Sequence, residues 1–178
     1  MSTGVTKIKP LFVEHLNRLH CAKAHLLERL VDICEEPIFS NVKVPIEKAL
    51  AQTELEIANL DRIYEILNTG YTFEDCAGLV AFLENTFSSF QANIKDPDIS
   101  FVLILSYLHR ITYIENAEKE ILLLLADKLN KPTVKPLLLA SVGKSEPGLI
   151  AELTTIYMGF LKGIKVGVLL LTFGLQLL

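Results

Sequence analysis

The residues of this chain best suited to chemistry are charged side chains set into otherwise apolar helical stripes. Between Asp96 and Asn130, Phe101, Ile104, Leu108, Ile111, Glu115, Glu118, Leu122, Leu125 and Leu129 recur at the alternating three- and four-residue spacing of one helix face. Glu115 and Glu118 stand in the middle of that stripe, and the other phase of the pattern still retains Glu115. A second stripe, Leu139, Val142, Glu146, Leu149, Leu153, Ile156 and Phe160, carries Glu146. A third, Phe12, Leu16, Leu19, Leu26, Leu30 and Ile33, is interrupted only at Lys23. A carboxylate held away from water is costly on its own, and so is an ammonium. Two arrangements offset the cost: carboxylates gathered around a metal cation, or carboxylate set against ammonium.

Other chemistry finds little support. The histidines are His15, His20, His25 and His109, and none has a glutamate three positions before it. The first three recur every five residues, which turns them onto different helix faces, so they cannot share a metal from that helix. Each is expected to pack or to meet solvent, with His25 and Glu28 as a surface pair at i,i+3 spacing. Cys21, Cys34 and Cys76 form no C-x-x-C pair. Cys21 and Cys34 lie on one expected helix, about 20 Å apart at 1.5 Å per residue, too far for a disulfide. The thiols therefore read as small buried apolar groups in a reducing compartment. No Gly-x-Ser-x-Gly motif or phosphate-binding glycine loop occurs, so nucleophilic catalysis finds no candidate residues and no cofactor-binding residues stand out.

The elements that must position these charges are helices. The first is expected over about Lys9 to Glu36, ending where Pro37 pushes its predecessor out of helical geometry. The second runs from Val44-Pro45 to Asn68-Thr69-Gly70, with Gly70 as the stop, along the stripe Ile46, Leu50, Thr53, Ile57, Leu60, Tyr64 and Leu67. A shorter helix, Phe73 to Ile94, is expected to start at Thr72 as N-cap and to bury Leu79, Phe82, Leu83, Phe87 and Phe90. The longest follows from Asp96-Pro97-Asp98. The last region, Pro136 to about Leu161, must break at Gly143-Lys144-Ser145-Glu146-Pro147-Gly148, where Ser145 could cap a restarted helix. No strand alternation occurs, which rules out a Rossmann-type crevice. The 37–43 and 131–135 loops are short and the Thr69 to Pro97 connection is long. That pattern predicts an all-α, ferritin-like four-helix bundle of two helical hairpins with a short crossover helix.

Against this frame the composition has a plain meaning. Seventeen Lys and Arg against 21 Asp and Glu give a net charge of −4, without the basic footprint of a nucleic-acid binder. Hydrophobic residues make up 51% and charged residues 21%, which excludes disorder. Met1 to Pro10 hold no apolar run of signal type, from which a cytoplasmic address is expected.

Residues 11–160 resemble the YciF/YciE-like family of bacterial ferritin-like proteins, known mainly as stress-associated proteins of unclear biochemical role. Leu19-His20-Cys21-Ala22-Lys23-Ala24-His25-Leu26-Leu27 looks like the family's Leu-x-x-Ala-Glu-x-x-Leu-Leu segment, and Ala49-Leu50-Ala51-Gln52-Thr53 looks like His-Leu-x-Glu/Gln-Thr. Cys76 with Gly78-Leu79 is similar to a crossover-helix signature, and Tyr113-Ile114-Glu115 to the second half of Glu-His-Tyr-Glu. The departures fall on the positions that the resemblance implies would bind metal. Lys23 replaces a glutamate, Ala49 a histidine, and Thr112 with Tyr113 the Glu-His pair. An ammonium among the ligands repels a dication, so no intact di-iron centre is expected. Lys23 is expected instead to pair with Glu115, in a core polar cluster that extends to Glu118 or Glu146. The resulting reading is a non-enzymatic, stress-associated or scaffolding bundle. The alternative is an iron- or manganese-binding protein of iron handling or oxidative-stress defence, using Glu115, Glu118 and Glu146 with residual carboxylates such as Glu54.

The surplus of apolar residues traces to the C-terminus. Val166 to Leu178 carry no charge, and Gly159, Gly163 and Gly167 stand at a spacing that permits close helix contact. The chain divides into a bundle at 1–162 and an apolar tail at 163–178. The tail falls short of the roughly 20 apolar residues of a spanning helix unless Lys162 and Lys165 snorkel. Packing on the bundle or on a second protomer, membrane association and a poorly ordered end are the three readings, of which a homodimer is the economical one.

Overall fold

The computed structural model describes residues 5–141 and 148–159, apart from the side chains of residues 5, 6 and 75. Glu146, the Ser145 cap and the 163–178 tail lie outside the described residues. All regular structure among those described is helical: α1 (Val5–Glu35), α2 (Lys43–Leu67), α3 (Ala77–Ala92), α4 (Pro97–Ala126), α5 (Val134–Ala140) and α6 (residues 148–159). Short 3-10 helices at Pro37–Val42 and Glu74–Cys76 join α1 to α2 and lead into α3.

The ends of these helices follow local chemistry, though not always the residue expected. α1 stops before Pro37 as the proline dictates, but it begins at Val5 and holds Pro10 inside. α2 ends at Asn68, not at Gly70. Asn68 takes the left-handed conformation (φ 48°, ψ 56°), and the Thr69 amide closes back on the Tyr64 carbonyl at 3.1 Å. Asparagine tolerates that region because its short polar side chain can bond locally. Thr72 does not cap α3. Its hydroxyl accepts a bond from the Asn17 side chain at 2.9 Å, and the helix starts five residues later, at Ala77, behind the 3-10 turn. α4 starts where expected, and Asp96 caps it, accepting from the Ile99 amide at 3.2 Å, a bond worth about 1 kcal/mol.

α1 lies against both α2 and α4, and α5 touches the same two helices from the other side. Successive contacts fix their directions. Going up α1, Asn17, His20 and Lys23 meet Tyr64, Asp61 and Glu56 in descending order, while His15, Lys23 and His25 meet Glu118, Glu115 and Tyr107. Both neighbours therefore run antiparallel to α1. α3 packs on α1 and α4, burying Leu83, Phe87 and Phe90, whereas Phe82 faces outward and is 47% exposed. In α5 the buried residues are Val134 and Leu138, whereas Leu139 is exposed.

The apolar core comes in two clusters. One gathers Phe12, Leu16, Leu19, Leu60, Ile63 and Leu122, and the other Leu26, Leu30, Phe87, Ile104, Leu108 and Leu149. Along α1 the first ends at Leu19 and the second begins at Ala22, so the two meet at the level of Lys23.

Candidate functional site

The α1 stripe Phe12 to Ile33 is buried along its whole length, and Lys23 is buried with it at 1% exposure. The ammonium has neighbours to meet it. Lys23 Nζ donates to Glu56 Oε2 at 2.7 Å and to Glu115 Oε2 at 2.8 Å, bringing carboxylates from α2 and α4 onto one cation from α1. The Glu56 and Glu115 side chains are 0% and 6% exposed. Gln52, one turn before Glu56, donates its amide to Glu56 Oε1 at 2.9 Å.

Magnitudes decide what such a cluster can do for the fold. Opposite charges 4 Å apart attract by about 4 kcal/mol at an effective dielectric near 20, while taking each ion out of water costs several kcal/mol. Attraction and desolvation thus nearly cancel when the cluster is whole. The balance fails when one member is lost, because the desolvation cost of the others remains.

Of the four residues read as a core polar cluster, the structure brings Lys23 and Glu115 together. Glu118 is turned elsewhere, its Oε2 lying 2.6 Å from His15 Nδ1. Glu54 is exposed. Glu56, which periodicity did not single out, is the third member. Its signal was the second phase of the α2 pattern, in which Ile46, Ala49, Thr53, Glu56, Leu60, Ile63 and Leu67 share a face. All seven are buried. Ile57, from the uncharged phase, is only partly buried.

A dinuclear metal centre does not fit these residues. The ammonium sits within hydrogen-bond distance of both carboxylates that would have to bind a dication, and its charge opposes one. Among the described residues no group of three or more His, Cys, Asp or Glu side chains is placed to hold a metal ion.

A second polar chain leads from the core to the surface. His25 is 6% exposed and its partner is not Glu28. Nδ1 lies 2.9 Å from the buried Tyr107 hydroxyl and Nε2 lies 3.0 Å from the half-exposed Glu84 carboxylate. Burial outweighs the pull of Glu84 and holds the His25 imidazole below its ordinary value. His20 is held down likewise, by burial against the attraction of Asp61, whose carboxylate is 3.1 Å away. Burial pushes the Tyr107 phenol well above the usual tyrosine range.

The sign of the resulting pH dependence follows. Unfolded histidines take up protons near pH 6.5, and these two do so only at lower pH in the folded chain. Their contribution is complete above about pH 6.5 and is lost as pH falls, by up to about 1.4 kcal/mol per pH unit for each imidazole. Urea unfolding at about pH 7.5 and about pH 5.5 should show the deficit at the lower value. The double variant His20→Gln, His25→Gln should narrow it. An equal gap in both proteins would assign the acid sensitivity to other groups.

A family model described as Domain of unknown function (DUF892) matches residues 7–149. No curated protein and no solved structure matches the chain. Among the described residues no helix is long and apolar enough to cross a membrane.

Proposed function

Because the chain belongs to the DUF892 family, we propose that it is a ferritin-like helical bundle in which an internal ion cluster stands where a metal centre would, acting as a non-enzymatic, stress-associated or scaffolding protein. The observation that carries the reading is the Lys23 ammonium held between Glu56 and Glu115 at the centre of the helices. The cation that bridges the two carboxylates is covalently part of the chain, offsets one of their two charges, and is neither exchangeable nor able to change oxidation state. The ring of neighbours α1, α2, α5 and α4 supports the ferritin-like arrangement. The stress association rests on the YciF/YciE-like resemblance. A homodimer joined through residues 163–178 belongs to the same proposal.

Metal analysis tests the reading. Protein purified from cells grown with added iron and manganese should carry far less than one equivalent of either, and Glu115→Ala should not change that. Stoichiometric iron or manganese that disappears in Glu115→Ala would overturn the proposal in favour of iron handling. The converse experiment uses Lys23→Glu, which sets three carboxylates around one point. That variant should lose stability without metal and regain it with Mn²⁺, its Tm rising with cation concentration while the wild type stays constant. A Lys23→Glu Tm indifferent to Mn²⁺ would mean that these side chains do not converge as a ligand set.

A further inference from the structure

The cysteines, set apart by sequence, are not all apart in the fold. Cys76 stands at the junction of the 3-10 turn and α3, and its Sγ donates to the Asn17 carbonyl at 3.3 Å. Asn17 precedes Cys21 by one turn of α1, so the face that receives Cys76 is the face that carries Cys21. Cys21 therefore has Cys76 and Tyr71 as near neighbours, and Tyr71 has both thiols as its own. Cys21 and Cys76 are 3% and 0% exposed. Their cover is thin, because Tyr71, tilted against the His20 ring with centroids 4.6 Å apart, is 38% exposed. Asn17 fixes the segment in place: its side-chain Nδ2 donates to the Thr72 hydroxyl at 2.9 Å and its side-chain Oδ1 accepts from the Tyr64 hydroxyl at 2.8 Å.

We propose that Cys21 and Cys76 form a peroxide-responsive thiol pair that closes to an intramolecular disulfide and ties α1 to the start of the crossover helix. One thiol, as thiolate, attacks hydrogen peroxide; an S–O bond forms as the O–O bond breaks, giving a sulfenic acid and hydroxide, which takes up the released proton. The second thiol attacks the sulfenic sulfur, an S–S bond forms, the S–O bond breaks, and the hydroxyl leaves as water with that thiol's proton. Two thiols lose two electrons and one peroxide becomes two waters. With Cys76 Sγ bonded to the carbonyl one turn before Cys21, closure asks for a local approach of the sulfurs rather than a rearrangement of helices. Burial, with Cys76 beside it, pushes the Cys21 thiol up to about 12. Little thiolate is then present at neutral pH, so the pair stays reduced until peroxide is sustained. Cys34 is about 20 Å further along α1 and takes no part.

Peptide mapping of the native full-length chain under non-reducing conditions, after hydrogen peroxide, is the test. The expected product is the Cys21 peptide joined to the Cys76 peptide, lighter by two hydrogen atoms, unaffected by Cys34→Ser and reversed by dithiothreitol. The oxidised chain should melt about 5 °C or more above the reduced one, since the link closes a long loop. Cys76→Ala should abolish both the product and the shift. A cross-link involving Cys34, a disulfide between chains, or over-oxidation of Cys21 with no link would each overturn the pairing. The wild-type map and Cys34→Ser decide the question even if Cys76→Ala folds poorly.

Discussion

Lys23→Met should lower the free energy of unfolding by about 3–5 kcal/mol. Methionine fills much of the same volume, so the loss is not a cavity effect. It arises because Glu56 and Glu115, brought within hydrogen-bond distance of one ammonium, would face each other across a buried site with their shared cation gone. For a chain of this size, with about 5–15 kcal/mol in all, that is about a fifth of the total or more. Glu115→Gln should cost less, since Lys23 keeps Glu56. The triple variant Lys23→Met, Glu56→Gln, Glu115→Gln should recover much of the loss, because no ion then remains to be compensated. Urea denaturation followed by far-UV circular dichroism reads all three. Unchanged midpoints in both Lys23→Met and Glu115→Gln would mean that the cluster does not exist in solution.

Phe87→Ala is the second large effect, at about 3–5 kcal/mol. Phe87 is fully buried, with its ring 5.2 Å from Phe90, 5.3 Å from Tyr107 and 5.2 Å beneath the Arg29 guanidinium. It therefore joins α3 to α1 and α4 at one point. Removing the ring opens a void beside the Tyr107–His25 bond that neighbouring side chains fill only in part. Phe82→Ala on the same helix is the control. That ring faces solvent, with Arg110 stacked at 5.8 Å, and its loss should stay within about 0.5 kcal/mol. Amide exchange in α3 should accelerate in Phe87→Ala and remain unchanged in Phe82→Ala. Equal costs for the two rings would show that α3 is not docked through this face.

These residues also mark where sequence was a good guide and where it was not. Lys23 could be found because α1 offers one apolar stripe and an ammonium interrupts it. Glu56 could not, because α2 carries two stripes of nearly equal quality and the uncharged one passes through Ile57. Which of them faces inward depends on how α2 rotates about its axis against α1 and α5, and periodicity does not encode that choice. Glu118 stood in the α4 stripe beside Glu115, yet its partner is His15, two turns down α1 from Lys23. Stripe membership says that a side chain turns inward, not which neighbour it meets. The thiol pair was invisible for a related reason. Cys21 and Cys76 lie on separate elements, and only the docking of the 3-10 turn on Asn17 brings them together. The all-helical character, the stop of α1 before Pro37 and the start of α4 at Asp96-Pro97, by contrast, depend on local chemistry and were legible. The Asn68 stop was not, because Gly70 two residues on offered a stronger signal for the same role.

The opposed contacts along α1 have a consequence for register. Leucine and isoleucine stripes fit one another almost as well after a slip of one helical turn, 5.4 Å, so apolar packing discriminates weakly among axial positions. The polar contacts are less forgiving: Asn17, His20 and Lys23 each match one residue of α2, and His15, Lys23 and His25 each match one of α4. A one-turn slip would strand several of these groups at once. A core ion cluster that adds little net stability can still select a single alignment of α1 against both neighbours, as isolated polar residues do in coiled coils.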